Sequence, residues 1–107
     1  MSKFRHVILS EGAAIDYNTG PFTSEQTLTE VRVKSNIAAG VNEERLTVTL
    51  DSKDGAAFDV VIISRDMDII SDYVATDIGF LIEVGDALRV QFANSKSRTV
   101  SVRLVLQ

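Results

Sequence analysis

The sequence predicts an all-β protein, a single antiparallel β-sandwich of jelly-roll type preceded by an irregular N-terminal arm. Three observations lead there. Apolar and polar residues alternate at period two in one stretch after another, Gly, Asn and Asp punctuate the gaps, and no stretch carries a helical stripe long enough to hold a helix. The expected division is an arm, or a first strand plus loop, over residues 1–22 and a sandwich over residues 23–107.

Phe4 to Leu9 supplies a strand near the N-terminus. Ser10 to Phe22 sets Ala13, Ala14, Ile15, Tyr17 and Phe22 among Gly, Asn and Thr with no period, so it is expected to pack across the sandwich or on a neighbour. Thr27 to Lys34 turns Leu28, Val31 and Val33 inward with a slip of one position, which predicts a bulge. Ile37 to Gly40 is too short for a helix, and Asn42 to Arg45 is one turn at most. Arg45 to Asp51 buries Leu46, Val48 and Leu50 and turns Thr47 and Thr49 outward. The Asp54-Gly55 step suits a hairpin turn, where Gly accepts positive φ.

Val60 to Ile63 is apolar on both faces, so the strand from Phe58 to Ile63 is expected at the centre of a sheet. Arg65 to Tyr73, with Met67, Ile69 and Ile70 among aspartates, reads as a loop or short strand. Ile78, Phe80, Ile82 and Val84 share one face of a further strand, which Val84-Gly85-Asp86 closes with a tight turn. Ala87 to Ala93 points Leu88, Val90 and Phe92 inward, and Asn94 to Ser97 suits a hairpin link to the last strand, Thr99 to Leu104. The run from Val102 to Gln107 is apolar on both faces. It must be covered, either centrally in its own sheet or by a neighbour.

Composition bounds the function. A chain of 107 residues that is 45% hydrophobic and 24% charged is one folded domain's worth. The absence of Cys excludes a disulfide framework, a thiolate metal site and a cysteine nucleophile. With one histidine, His6, no reaction needing two imidazoles fits within one subunit; a surface or strand-end role is expected for it. A net charge of −4 argues against nucleic acid as partner. The apolar runs fall far short of the ~20 residues a membrane helix needs, and the first residues lack a signal peptide's apolar segment.

Candidate chemistry is sparse. Asp66, Asp68, Asp72 and Asp77 form the densest acidic stretch, but it lacks the Gly and Glu of a calcium loop and reads as solvated aspartate. Asp59 and Glu83 are conceivable as a glycosidase pair, yet a chain without Trp and with two Tyr offers few ring faces for sugar. No nucleophile elbow or phosphate-binding glycine loop occurs. No catalytic, cofactor or metal residue is therefore assigned, and no enzyme is expected. The basic residues Arg32 with Lys34, Arg89, Lys96 with Arg98, and Arg103 are expected to solvate a sheet face or contact an acidic protein partner.

Residues 27–107 carry a further pattern. Thr49-Leu50-Asp51-Ser52 leads through Gly55 into Ala57-Phe58-Asp59; Gly85-Asp86-Ala87-Leu88-Arg89-Val90-Gln91-Phe92-Ala93-Asn94 follows, and then the strand from Thr99. This resembles small β-sandwich virion structural proteins of tailed bacteriophages. The resemblance implies a jelly-roll-like fold, no catalytic residues, and assembly in many copies on a head or tail. In that reading the chain is a capsid decoration (cement) protein, made in the host cytoplasm and carried on the head surface. Its partners would be itself, as a homo-oligomer with a trimer favoured by analogy, and a major capsid or tail protein. The alternatives are a tail or connector component, and a carbohydrate- or receptor-binding module using Tyr17 and Tyr73. Candidate interface residues are Ile15, Tyr17 and Phe22 on the arm and Val105 on the last strand.

Overall fold

Period-two alternation leaves each strand one apolar face, and two sheets bury those faces against each other. The computed structural model describes residues 4–35, 44–68, 70–95 and 97–107. The strands are β1 (Phe4–Glu11), β2 (Ile15–Asn18), β3 (Gln26–Ser35), β4 (Arg45–Asp51), β5 (Val60–Asp66), β6 (Asp72–Ala75), β7 (Phe80–Ile82), β8 (Ala87–Phe92) and β9 (Thr99–Leu106). The first sheet runs β1-β9-β3-β6, with the short β7 also on β3; the second runs β2-β8-β4-β5. Every pairing is antiparallel.

This order is that of a jelly roll. The ribbon β1–β2 pairs with β9–β8, the ribbon β3–β4 pairs with β6–β5, and each ribbon crosses from the first sheet to the second. Leu28, Val31, Val33, Val102 and Leu104 of the first sheet meet Leu46, Val48, Leu88, Val90 and Phe92 of the second in one core. The alternation read in β4, β8 and β9 holds, and the slip in β3 is a real register shift between Leu28 and Glu30. β9 lies between β1 and β3, so its doubly apolar run is covered within its own sheet.

Four expectations change. Residues 10–22 are not an irregular arm. β1 pairs with β9 along its whole length, from Phe4 opposite Leu106 to Glu11 opposite Thr99, and β2 pairs with β8. Ser10 and Ile15 face the core, and four-residue β2 is too short for a period to show in the sequence. The strand after Phe58 is not central. It begins at Val60 and forms the outer edge of the second sheet, where a register shift opposite Val48 and Thr49 leaves Val61 exposed.

Asn94 to Ser97 is not a hairpin, because β8 and β9 belong to different sheets. The link turns through positive φ at Asn94 and Ser97, and Asn94 Nδ2 donates to the carbonyls of Ala13 and Arg98. The strand expected from Ile78 to Val84 shrinks to Phe80–Ile82, and Val84 is exposed. The acidic stretch after Arg65 yields β6, with Met67 in the core. The connection from β4 to β5 does make a hairpin, lengthened by a 3-10 turn over Ala56–Phe58 after Gly55. The expectations for Ile37 to Gly40, Asn42, Glu43, Ile69 and Lys96 lie outside the described residues.

A charged pair closes the end of the sandwich where these crossings meet. Arg98 is fully buried; its guanidinium donates to the carbonyls of Ile70 and Asp68, each at 3.1 Å. Glu44 faces it at 3.8 Å and accepts from the backbone N–H and hydroxyl of Ser95.

Candidate interaction surfaces

On the outer face of the first sheet, strand pairing lines up residues that lie far apart in sequence. One row across the sheet reads Val7, Arg103, Arg32, Val74, and the next reads Leu9, Ser101, Lys34, Asp72. Arg5 stands one outward step from Val7. Arg103 and Arg32 are therefore directly opposed, an arrangement that costs stability in a sheet unless something offsets it. Glu30 pairs with Arg32 through two hydrogen bonds at 3.0 and 3.2 Å, which raises the guanidinium pKa above its ordinary value. Arg5, Lys34 and Arg103 form no salt bridge among the described residues. A depression of about 220 Å³ opens between Arg32, Lys34, Ser101 and Arg103.

Acid lies on this face too, in Glu30, in Asp72 opposite Lys34 and in Glu11 at the end of β1, and a larger group lies elsewhere. Asp51, Asp54, Asp59, Glu83 and Asp86 gather around the β4–β5 hairpin and the turn before β8, where Lys53 meets Glu83 at 3.2 Å. The outer face of the first sheet thus mixes Arg5, Arg32, Lys34 and Arg103 with Glu11, Glu30 and Asp72, and its basic excess is concentrated around Arg103 and Lys34.

Exposed apolar side chains are spread over several edges and turns, with Val74 on β6, Leu81 on β7 and Val84 before β8 among them. Val7 (50% exposed) and Leu9 (73%) stand on β1, while Phe58 (64%) and Val61 (59%) lie along the β5 edge. A second depression, about 410 Å³, adjoins Leu9, Glu11, Lys34 and Ser101.

The four residues expected at an interface divide. Ile15 and Val105 are each 5% exposed inside this chain, so neither offers surface to a partner. Ile15 faces the core from β2, and Val105 lies between Arg5 and Glu30 in the first sheet, bordering a cavity of about 520 Å³ with Thr76, Asp77 and Gly79. Tyr17 and Phe22 are half-buried and close one open side of the sandwich with His6. The His6 Nδ1 lies 3.3 Å from the Tyr17 hydroxyl, and the His6 and Phe22 rings meet edge-on at 6.0 Å. His6 is therefore a seam residue and not a surface one. On the opposite side the Arg65 guanidinium stands 5.4 Å from the Tyr73 ring.

The acidic residues considered for chemistry are also engaged. Asp66 Oδ1 accepts from the backbone N–H of Glu44 and of Asp68, which holds its carboxyl below the ordinary value. Asp59 accepts from Ser52 N, and Glu83 pairs with Lys53. Among the described residues no group of three or more His, Asp or Glu is placed to hold a metal ion. The sequence marks Arg32, Lys34 and Arg103 as outward basic residues for a sheet face or an acidic partner; what it does not show is their adjacency and that of Arg5, which the order β1-β9-β3 creates and no local pattern reveals.

Together these features define an antiparallel jelly-roll sandwich with a basic cluster on one outer face and exposed apolar residues at its edges. No family model matches the chain, and no curated protein matches it in sequence. Among solved structures it is similar to that of infectious bursal disease virus Gx strain, with a TM-score of 0.45 and 11% identity over 97% of this chain and 32% of that one. It is also similar to the Gt strain structure (0.40, 10% identity, 99% and 29%) and to RmlC from Streptococcus suis in complex with dTDP-D-xylose (0.38, 12% identity, 96% and 43%). The chain spans between about a quarter and under half of each of those chains. At such TM-scores the likenesses carry nothing about function, and the jelly-roll assignment rests on the strand pairing itself.

Proposed function

We propose that the chain is a non-enzymatic structural protein of a tailed-phage virion, a decoration protein that docks on the head lattice and stabilises it. The observation that carries this reading is the basic cluster around Arg103 and Lys34 on the outer face of the first sheet. Arg103, Lys34 and Arg5, which form no salt bridge among the described residues, stand beside the Glu30-paired Arg32 and are suited to the carboxylates of an acidic protein surface. The sequence resemblance over residues 27–107 supports the same class and supplies the virion. The glycan-binding alternative is weakened, because Tyr17 and Tyr73 both close the sides of the sandwich.

The test is binding of purified protein to heads that lack it. Arg32→Glu combined with Arg103→Glu is expected to abolish binding while leaving the β-sheet circular dichroism intact, and rising salt is expected to weaken wild-type binding. Undiminished binding by the folded double variant would sink this face as the docking surface. Electron microscopy placing the protein on the tail would transfer the proposal to a tail component.

A further inference from the structure

Among the described residues the edge of β1 is a long strand edge without a partner, and its side chains carry a self-complementary code. We infer that two copies of this chain join β1 to β1, antiparallel about a two-fold axis through Ile8, extending the first sheet from one copy into the next. The inference stands apart from the virion reading, since it concerns self-association in solution.

β1 is the outermost strand of its sheet and pairs without a bulge over eight residues, so alternate backbone N–H and C=O groups face outward in regular register. The other long edge, β5, is interrupted by the register shift at Val48 and Thr49, the usual device that discourages edge pairing. On β1 the outward side chains are Arg5, Val7, Leu9 and Glu11, all exposed.

Symmetry restricts the pairing. Side chains facing each other across an antiparallel pair must lie on the same face, so a two-fold axis passes through a residue opposite itself. With the axis at Ile8, Arg5 of each copy faces Glu11 of the other and Val7 faces Leu9, giving two opposite-charge pairs around two apolar pairs. Moving the axis to Val7 sets Arg5 against Leu9, and moving it to Leu9 sets Val7 against Glu11. Only the Ile8 register satisfies both charge and apolar matching. It covers Leu9, the most exposed of the large apolar residues described. It also gives a two-fold pair in place of the trimer implied by the resemblance.

The experiment is light scattering on the whole chain. Wild type is expected at twice the 11.7 kDa chain mass at tens of micromolar, and Leu9→Lys at the single mass with an unchanged β spectrum. Arg5→Glu alone sets two acidic side chains against each other at both ends of the paired strands, and Glu11→Arg alone sets two basic ones there. Because each change enters twice, each single variant should weaken the dimer by about tenfold or more. Mixing the two variants restores opposite charges at both ends, and the mixture should return to the dimer mass. Arg32→Glu with Arg103→Glu should leave self-association in place, separating this edge from the docking face. Wild type at the single mass up to hundreds of micromolar overturns the inference. So does dimerisation by either folded charge variant at wild-type strength, or failure of the mixture to associate.

Discussion

Replacing Arg98 by Met tests the buried charge at the crossing end of the sandwich. The substitution roughly conserves length while removing a fully buried guanidinium that donates to the carbonyls of Ile70 and Asp68 and faces Glu44 at 3.8 Å. Two partly buried carbonyls would lose their charged donor. The Glu44 carboxylate, whose Oε1 already has no hydrogen-bond partner among the described residues, would lose its counter-ion. Breaking one side of a buried pair costs about 3–5 kcal/mol, and the lost packing of Arg98 over the Phe92 ring at 5.9 Å adds to it. For a domain of this size that corresponds to a fall in Tm of roughly 15–25 °C. The double variant Arg98→Met with Glu44→Gln should recover part of the loss, because no unpaired charge then remains inside. Calorimetry and urea unfolding of the two variants measure both quantities. A loss under about 1 kcal/mol for Arg98→Met, or a double variant worse than the single, would refute the view that charge pairing holds this end closed.

Two further outcomes follow from the same geometry. Gly85 has φ +96°, and a Cβ there would meet the Lys53 side chain at 3.1 Å, so Gly85→Ala should lower stability by about 1–2 kcal/mol in urea unfolding. Asp66 is held below its ordinary value by the N–H groups of Glu44 and Asp68, so its folded value lies below its unfolded one. Its stabilising contribution is present above the unfolded value and lost as pH falls through the folded one. Asp66→Asn should therefore flatten the acid limb of a Tm-against-pH curve below about pH 4.

What could be read from the sequence was what one buried face imposes. β4, β8 and β9 each turn one set of alternate residues to the core, and the slip at Leu28 to Val31 marked the bulge of β3. The position of a strand within its sheet has no such local signature. Val60 to Ile63 is as apolar as a central strand yet lies at an edge, with Ile63 alone of the four buried. β2 escaped because four residues hold too few alternations. Arg98 looked like one more dispersed cation and proved fully buried, since its partners come from Glu44 and from the 68–70 segment. The candidate surfaces were the least legible of all, because they are assembled by pairing between distant strands.

The seat of β9 in the middle of the first sheet also sets an order of events in folding. β1 has one partner, β9, and Phe4 meets Leu106 at the far end of that pairing. Closing a chain segment of about a hundred residues costs about 4 kcal/mol of entropy, which no local contact of β1 can offset beforehand. During synthesis the β4–β5 hairpin can form early, and the second sheet is complete once β8 has emerged. β1 must wait, with Ile8 uncovered, until the last strand in chain order arrives to slot between it and β3. The first sheet is thus the slow half of the molecule, and the interval before β9 docks is when this chain is most open to aggregation.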